Sequence, residues 1–340
     1  MTDRSGGFLL GVDGGNTKTL ALVATPDGTI VGTGRAVGCA DIHAVPVDEA
    51  MAVVARAIDA ALVEAAVPAG TGGLWAAFSM AGADWPEDVD ELRSLLGVHA
   101  SAPVVVNDAI GALRAAIPDG PGVVVVAGTG VATGARGPGG GLWHSSFWQE
   151  RQGAHELGVR TLHAVNRSAL GIDPPTALTA AVLDALGAPD VEAALHGQSR
   201  RGPGRWRGAR TLAPLLLDVA ETGDPAAVAI VDEHGHALGR MAAAAARRVG
   251  IEDGAPFDLA LAGGLFRHHG ARLRTGLLAA VRERAPGVRE VVPELEPVVG
   301  ALLLAFDAAG LAMDDARLAR LRATLPDAAL YETRLASPDG

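Results

Sequence analysis

The chain has 340 residues, of which 49% are hydrophobic and 20% charged, and this length and composition predict two folded domains of ordinary size. The formal net charge of −11 argues against nucleic acid or an anionic membrane surface as the main partner, because basic faces bind such surfaces. Cys39 is the only cysteine, which excludes an intramolecular disulfide and any cluster built from cysteines. The N-terminus is polar and the apolar run after it is short, so we expect a cytoplasmic protein without a signal peptide or a membrane span.

The chain opens with a predicted strand, turn and strand. The apolar run Phe8–Val12 predicts a buried strand that leads into Asp13 and two glycines, and Thr19–Thr25 predicts the returning strand. Glycines let backbone N–H groups approach an anion, polar side chains add donors, and an aspartate can hold a hydrated cation. The turn therefore suits a nucleoside triphosphate with Mg²⁺, although an ordinary hairpin turn explains the same residues equally well. The phosphate-binding candidates are Gly14, Gly15, Asn16, Thr17 and Lys18, the last being the only lysine of the chain.

The following residues predict the rest of one α/β domain. Thr29–Gly34 predicts a third strand that completes an antiparallel meander, and the apolar spacing over residues 47–65 predicts a helix that covers the sheet. Leu74–Ser79 and Val104–Val106 predict two more strands, with a helix over Asp88–Leu96 between them. Loops 38–46 and 80–84 consist of small and polar residues.

Asn107 and Asp108 stand at the end of the last of these strands, before a predicted helix over Ala109–Ala116. Polar side chains at the carboxyl end of a buried strand lie where α/β sheets place ligands. For Asp108, a catalytic role and the N-cap of the helix are equally good interpretations.

A second copy of the opening pattern follows Pro121. Val123–Ala127 predicts a buried strand, residues 128–130 form a Gly-Thr-Gly turn, and Val131–Arg136 predicts the returning strand. We interpret this as an internal repeat, with two related α/β domains facing one another and a phosphate hairpin from each in the cleft between them. Thr133 stands where a dinucleotide fingerprint needs glycine, and no Gly-x-x-x-x-Gly-Lys-Ser/Thr loop is present, so any nucleotide is bound by the hairpins.

Residues 137–158 carry tryptophans beside carboxylates, including Trp143, Trp148 and Glu150. Sugar sites commonly stack aromatic faces on apolar C–H groups and hydrogen-bond the hydroxyls. Two tryptophans in a loop are also typical of packing anchors, so both interpretations stay open.

The second half predicts mostly helices. Asp258–Leu261 predicts a strand that runs into Gly263 and Gly264, where a flat ring or a phosphate can lie against the backbone, and then into a helix near Phe266. The other predicted helices are Glu156–Asn166, Thr176–Leu186, Pro225–Val249, Leu295–Phe306 and Ala316–Leu325, with a loose tail from Thr333.

Two features of this half resemble binding sites by composition alone. His234, His236, His268 and His269 are separated and lack cysteines, so solvent-facing histidines are favoured over a zinc site. The arginine- and glycine-rich stretch Gln198–Arg210 is interpreted as a solvated loop, because the chain as a whole is acidic.

Five segments stand in order, and together they resemble the nucleotide signature of the actin, sugar kinase and heat-shock ATPase superfamily. Within that superfamily the chain resembles the BadF/BadG/BcrA/BcrD-type ATPases, which include N-acetylglucosamine kinases, over about residues 8–310. The five segments are Asp13–Thr19 after a strand, Asn107-Asp108 before a helix, Gly128–Gly130 after a strand, Ala262–Phe266 after a strand, and the helix Glu296–Ala305.

The resemblance implies two ribonuclease-H-like, actin-like ATPase domains with a nucleotide and sugar cleft between them. The expected boundaries are 1–118 and 119–312, followed by a C-terminal helix and tail over 313–340. The resemblance also implies ATP and Mg²⁺, with Asp13 at the metal, Asp108 as general base, and a homodimer. The nucleotide would contact the Asp13 turn, Gly128, Thr129, Gly130, Gly263 and Gly264. The implied substrate residues are Asp41, His43, Gly82, Asp84, Asn107, Asp108, Trp143 and Glu150.

The chain departs from this family pattern at the sugar. Residues 40–43 read Ala-Asp-Ile-His where N-acetylglucosamine kinases typically carry Ser/Thr-Asn-His, and residues 149–153 replace a Gly-Asp-Glu-Gly-Ser motif, with Glu150 nearest its Asp. The extra carboxylate of Asp41 could prefer a free amino group, so glucosamine stands beside N-acetylglucosamine as the substrate of an ATP-dependent kinase. The alternatives are a sugar- or nucleotide-sensing protein with reduced turnover, and an ATPase with a non-sugar partner. The family's iron–sulfur activators are disfavoured because Cys39 stands alone.

Overall fold

The structure is a computed structural model and describes residues 7–67, 74–100, 102–199 and 209–331. These residues divide into two compact units. The first unit comprises the described residues of Met1–Asp119 and Val292–Gly340, and the second comprises those of Gly120–Val291. Each unit is built on one five-stranded sheet.

The first sheet combines a meander with two parallel strands. Strands β1 (Leu9–Gly14), β2 (Lys18–Ala24) and β3 (Ile30–Val37) pair antiparallel, which confirms the predicted meander. Strands β4 (Trp75–Met80) and β5 (Val104–Asn107) add beside β1 in parallel, giving the order β3-β2-β1-β4-β5.

Three helices of the first unit follow its strands, namely α1 (Val47–Glu64), α2 (Pro86–Leu96) and α3 (Asp108–Ala116). Because side chains alternate along a strand, Leu10 and Val12 of β1 lie on one face of the sheet, in the same apolar cluster as buried residues of α1 and α2. The apolar spacing over residues 47–65 predicted α1 because this helix buries one face in that apolar cluster.

The second sheet repeats the first. Strands β6 (Gly122–Ala127), β7 (Val131–Arg136) and β8 (Leu142–His144) pair antiparallel, and β9 (Phe257–Ala262) and β10 (Val288–Val291) add in parallel beside β6. The resulting order, β10-β9-β6-β7-β8, is the order of the first sheet read from the other edge. The internal repeat predicted from the two glycine turns is therefore confirmed in the topology.

The second unit is richer in helices than the sequence predicted. Two helices, over residues 191–199 and 212–221, and the strands β8 and β10 were not predicted. The helix expected to start near Phe266 starts later, at Arg272, because residues 263–271 are turns that begin with Gly263 at a φ of +95°. The helices of this unit are α4 (Ala154–Ala169), α5 (Leu178–Leu186), α6 (Val191–Ser199), α7 (Leu212–Glu221), α8 (Pro225–Arg248) and α9 (Arg272–Arg284).

The chain then returns to the first unit as α10 (Pro297–Ala309), α11 (Asp315–Ala323) and α12 (Ala328–Tyr331). This corrects the predicted boundary, which placed residues 119–312 in the second domain. Helix α10 lies so close to β1 that a Cβ added to Gly11 would be 2.3 Å from the backbone nitrogen of Leu302. Its apolar residues join those of β2 in one buried cluster of the first unit.

Two predicted segments lie largely or wholly outside the described residues. The described ends of the arginine-rich stretch belong to α6 and to a short 3₁₀ turn at Ala209–Thr211, while residues 200–208 are outside, as is the predicted loose tail from Thr333. Among the described helices, none combines the length and the apolarity needed to cross a membrane.

Candidate active site

The candidate site of the first unit lies where three neighbouring strands end. Gly14 of β1 pairs with Met80 of β4, and Met80 pairs with Asn107 of β5. Because these three strands are parallel, their carboxyl ends lie at the same edge of the sheet. Asp13, the loop after Met80, and Asp108 are therefore brought to one edge.

Asp13 and Asp108 are partly buried carboxylates that repel one another. Burial, and then the charge of Asp108, raise the pKa of Asp13 to about 7, while Lys18 acts in the opposite direction. Burial, and then the charge of Asp84, raise the pKa of Asp108 to about 6. These neighbouring carboxylates are hard oxygen donors that together concentrate negative charge, and such groups are suited to bind Mg²⁺.

Asn107, rather than Asp108, caps the helix α3. The side-chain oxygen of Asn107 accepts a hydrogen bond from the N–H of Ala109 at 3.0 Å, and its amide nitrogen donates to Asp84 at 2.9 Å. Asp108 is the first residue of the helix, and its backbone oxygen accepts a bond from the hydroxyl of Ser79 at 3.2 Å. The N-cap interpretation of Asp108 is therefore wrong, because Asn107 occupies the cap.

The glycine turn of the first unit is held by its own backbone. The N–H of Gly15 donates to the carbonyl of Lys18 at 3.1 Å, and the carbonyl of Gly15 accepts from Ala40 at 3.0 Å. Gly14 is buried against Met80, Asn16 is exposed, and the carbonyl of Thr17 accepts from Gly38. The ammonium of Lys18 donates to the backbone oxygen of Tyr331 in α12.

The two polar loops of the first unit meet beside this edge. The carboxylate of Asp41 accepts from the N–H of His43 at 2.9 Å, and a Cβ added to Gly82 would lie 2.7 Å from the same carboxylate. Both loops hydrogen-bond to Asp88 at the start of α2, through His43 and through the N–H groups of Asp84 and Trp85. The sequence pattern placed Asp88 in a helix and indicated no role for it, although an acidic residue in the first turn of a helix is a recognised capping signal.

The second unit brings its two glycine-rich turns to adjacent strands. The Gly128–Gly130 turn follows β6, and Gly263 and Gly264 follow β9, which is parallel to β6. A Cβ added to Gly263 would be 2.4 Å from the carbonyl oxygen of Ala127, so only glycine fits there. A Cβ added to Gly128 or Gly264 would meet no atom within 4 Å, and such open backbone suits close approach by a phosphate or a ring.

Residues 149–153 pack on the Gly128 turn. The carbonyl of Gly128 accepts from the N–H of Ala154 at 2.8 Å, and Gly153 leaves no room for a Cβ against Gly128 and Gly130. Gln149 is buried and bonds to the hydroxyl of Thr133 at 3.1 Å, whereas Glu150 is exposed. The polar anchor of this loop is therefore Gln149.

The two tryptophans in the same region differ in burial. Trp143 on β8 is partly buried against an apolar cluster of the second unit, and Trp148 is 63% exposed. The position of Trp143 favours the packing-anchor interpretation for that residue.

The histidines expected to face solvent do not all do so. His234 on α8 is fully buried with both ring nitrogens unpartnered, and burial lowers its pKa to about 4. His268 is largely buried, and its Nε2 lies 3.1 Å from Asp218, which His269 also contacts at 3.2 Å. The Nδ1 of His268 accepts from the N–H of Gly270 at 3.0 Å, which leaves the proton of the neutral ring on Nε2. That arrangement favours a hydrogen-bonded cluster over metal binding at Nε2.

A sequence profile of the BadF/BadG/BcrA/BcrD ATPase family matches residues 10–305. The chain belongs to that family. No curated protein gives a significant match to this BadF/BadG-type chain.

Several of the solved structures that are similar to this BadF/BadG-type chain are described as sugar kinases. A candidate N-acetylglucosamine kinase from Chromobacterium violaceum is 28% identical, with a TM-score of 0.69 over 88% of this chain and 99% of that one. A candidate N-acetylglucosamine kinase from Porphyromonas gingivalis is 17% identical, with a TM-score of 0.60 over 89% and 99%. A ROK family glucokinase from Streptomyces griseus, solved with glucose and AMPPNP, is 17% identical, with a TM-score of 0.54 over 90% and 100%. The latter two likenesses show the fold alone.

The predicted site residues of this family member fall into two groups, one in each unit. The first unit brings together the candidate metal, base and sugar residues Asp13, Asp41, His43, Gly82, Asp84, Asn107 and Asp108, beside the turn Gly14–Lys18. The second brings together Gly128, Thr129, Gly130, Gly263 and Gly264.

Proposed function

We propose that the chain is an ATP-dependent kinase that phosphorylates an amino sugar, N-acetylglucosamine or glucosamine. The observation that carries the proposal is the placement of Asp13 and Asp108 at the carboxyl edge of the first sheet, beside two polar loops. Phosphoryl transfer depends mostly on positioning and on neutralising charge, so few groups are required of the protein.

Asp108 is the general base of this proposal. With a pKa raised to about 6 by burial and by Asp84, it is ionised at neutral pH and still basic enough to accept a proton from a sugar hydroxyl. Asn107 supports this role because its side chain caps α3 and fixes the start of the helix that carries Asp108.

Asp13 would hold the metal, and the glycine turns would hold the nucleotide. Mg²⁺·ATP supplies the phosphoryl group and screens its charge when bound. In the first unit Lys18 adds a cation beside Asp13, and in the second the space beside the backbone at Gly128 and Gly264 is open to close approach by a phosphate or an adenosine ring.

The sugar would bind to the polar loops of the first unit. Asp84 and Asn107 are joined by a hydrogen bond, and Asp41 and His43 lie on the neighbouring loop. Carboxylates and amides are suited to sugar hydroxyls, and the extra charge of Asp41 is the feature that favours glucosamine. The similarity to a candidate N-acetylglucosamine kinase at 28% identity supports the class of substrate.

The test is a coupled assay of ADP release with glucosamine, N-acetylglucosamine, glucose and N-acetylmuramic acid, on the wild type and on Asp108→Asn. We expect one of the amino sugars to stimulate turnover, and we expect Asp108→Asn to lose at least about 100-fold in kcat because the base is removed. Asp119→Asn, an exposed aspartate of the same unit, is the matched control and should retain wild-type turnover. Calorimetry with ATP and each sugar completes the test, because binding without ADP release would point to a sensor instead of a kinase.

A further inference from the structure

Asp88 is a buried carboxylate that joins two loops. It lies in the first turn of α2 and is only 8% exposed. Its Oδ2 atom accepts from the N–H of Trp85 at 2.8 Å and from the N–H of Asp84 at 3.3 Å, and it lies 3.0 Å from the Nε2 of His43. A buried carboxylate is costly unless it is hydrogen-bonded, and these three bonds offset that cost.

The donors belong to the two loops that carry the candidate sugar residues. His43 belongs to the loop after β3, together with Asp41, whose carboxylate accepts from the N–H of His43. Asp84 belongs to the loop after β4, together with Gly82, which lies against Asp41 at a φ of +83°. Asp88 therefore fixes the first loop through a side chain and the second through its backbone.

Further hydrogen bonds connect the loop of Asp84 to Asp108, the proposed base. Asp84 accepts from the side chain of Asn107 at 2.9 Å, and Asn107 caps the helix that begins with Asp108. Asp84 is also the charge that contributes most to the raised pKa of Asp108. A shift of the loop that carries Asp84 would therefore affect Asp108 in two ways. It would disturb the hydrogen bond to Asn107, which caps the helix of Asp108, and it would move the charge that raises the pKa of Asp108.

We propose that Asp88 is a positioning residue, which orients His43 and Asp84 toward the sugar through the hydrogen bonds that it accepts. This inference rests on the proposed kinase function. Asp88 itself is screened from substrate by burial, so its effect is exerted through His43 and through the loop that carries Asp84. The Nε2 atom of the His43 imidazole is the one that hydrogen-bonds to Asp88.

The charges that face His43 are Asp88 from α2, Asp84 from the loop after β4 and Asp41 from its own loop. The hydrogen bond to Asp88 is the main cause that raises the pKa of His43. Replacement of Asp88 by a neutral residue should therefore lower the pKa of His43, which a merely structural role for Asp88 would not require.

The test compares Asp88→Asn with Asp90→Asn, a matched control two residues along α2 whose side chain is 74% exposed beside Arg93. For Asp88→Asn we expect the KM for the amino sugar to rise by roughly 10- to 100-fold because the loops are misaligned, with the KM for ATP nearly unchanged. We also expect the His43 ring to titrate at lower pH in the NMR spectrum. Asp90→Asn should match the wild type in both measurements.

A double-mutant cycle with His43→Gln separates an effect of Asp88 that is exerted through His43 from an independent structural effect of the substitution. If Asp88 acts through His43, the double variant should have a smaller effect on the KM for the sugar than the two single effects combined. Equal sugar KM values for Asp88→Asn and Asp90→Asn, or an unchanged titration of His43, would overturn the inference. A wild type that phosphorylates no sugar would overturn the kinase proposal instead, and the titration of His43 would still decide whether Asp88 controls that ring.

Discussion

At the scale of single residues, the candidate site of the first unit carries an electrostatic cost. Asp13 and Asp108 are partly buried, repel one another and have raised pKa values of about 7 and about 6. A carboxyl group whose folded pKa lies above its unfolded value binds more protons in the folded state. Its contribution to stability is complete below its ordinary pKa of 3.8 and is lost as the pH rises through the folded pKa. Both groups therefore destabilise the empty protein at neutral pH.

We predict that Asp13→Asn stabilises the protein at pH 8 by on the order of 2 kcal/mol, while it abolishes Mg²⁺-dependent activity. The gain should shrink as the pH is lowered from 7 toward 4, because protonated Asp13 no longer carries the charge that burial disfavours. Urea unfolding of wild type and variant across this pH range measures the effect. A variant that is less stable than the wild type at pH 8 would contradict burial as the origin of the raised pKa.

At the scale of helices and strands, much of the first unit could be predicted because its elements are strongly patterned. The apolar run at Phe8–Val12 and the helical spacing over residues 47–65 correspond to β1 and α1 within two residues of each end. The strand β8 was missed because it has three residues, too few for a period to register. The start of α9 was placed too early, near Phe266, because apolar residues follow two glycines there, whereas Gly263 at positive φ begins a series of turns and the helix starts at Arg272.

The candidate site was predictable where a residue stands at the end of a strand, as Asp13 and Asp108 do. The contacts of Asp88 were not predictable, because its hydrogen bonds come from loops that are distant in sequence and meet only in the fold. The return of α10 to the first unit was missed for the same reason, since periodicity predicts a buried helix without stating which sheet it covers.

The contact of α10 with β1 depends on glycine. A Cβ at Gly11 would lie 2.3 Å from the backbone nitrogen of Leu302 and 2.4 Å from its Cα, and backbone cannot move aside as a flexible side chain does. We predict that Gly11→Ala destabilises the protein by about 1–3 kcal/mol through overpacking. Chemical denaturation measures this change against Gly139→Ala, where an added Cβ would meet no atom within 4 Å. Equal stability of the two variants would show that α10 shifts without cost.

At the scale of the whole molecule, the two units share one sheet topology but differ in the number of chain segments that form them. The second unit is drawn from one stretch, Gly120–Val291, whereas the first also needs residues after Val292. Each unit has its own buried apolar clusters. The cluster that contains Leu9, Leu20 and Leu22 is closed by residues of α10 and α11, so residues 1–119 alone would leave one face of their sheet uncovered.

We predict that a fragment of residues 120–291 folds alone and that a fragment of residues 1–119 does not. The fragment of residues 120–291 carries every strand of its sheet, while the fragment of residues 1–119 lacks α10, the helix that buries Leu9 and Leu22. Circular dichroism and cooperative urea unfolding measure folding, and co-expression of residues 292–331 with 1–119 should restore a cooperative transition. The control is co-expression of 292–331 in which Leu302 and Phe306, both buried against that sheet, are replaced by aspartate. Cooperative unfolding of 1–119 on its own would mean that the sheet of the first unit is stable without α10, and the structural role assigned to the returning helix would be wrong.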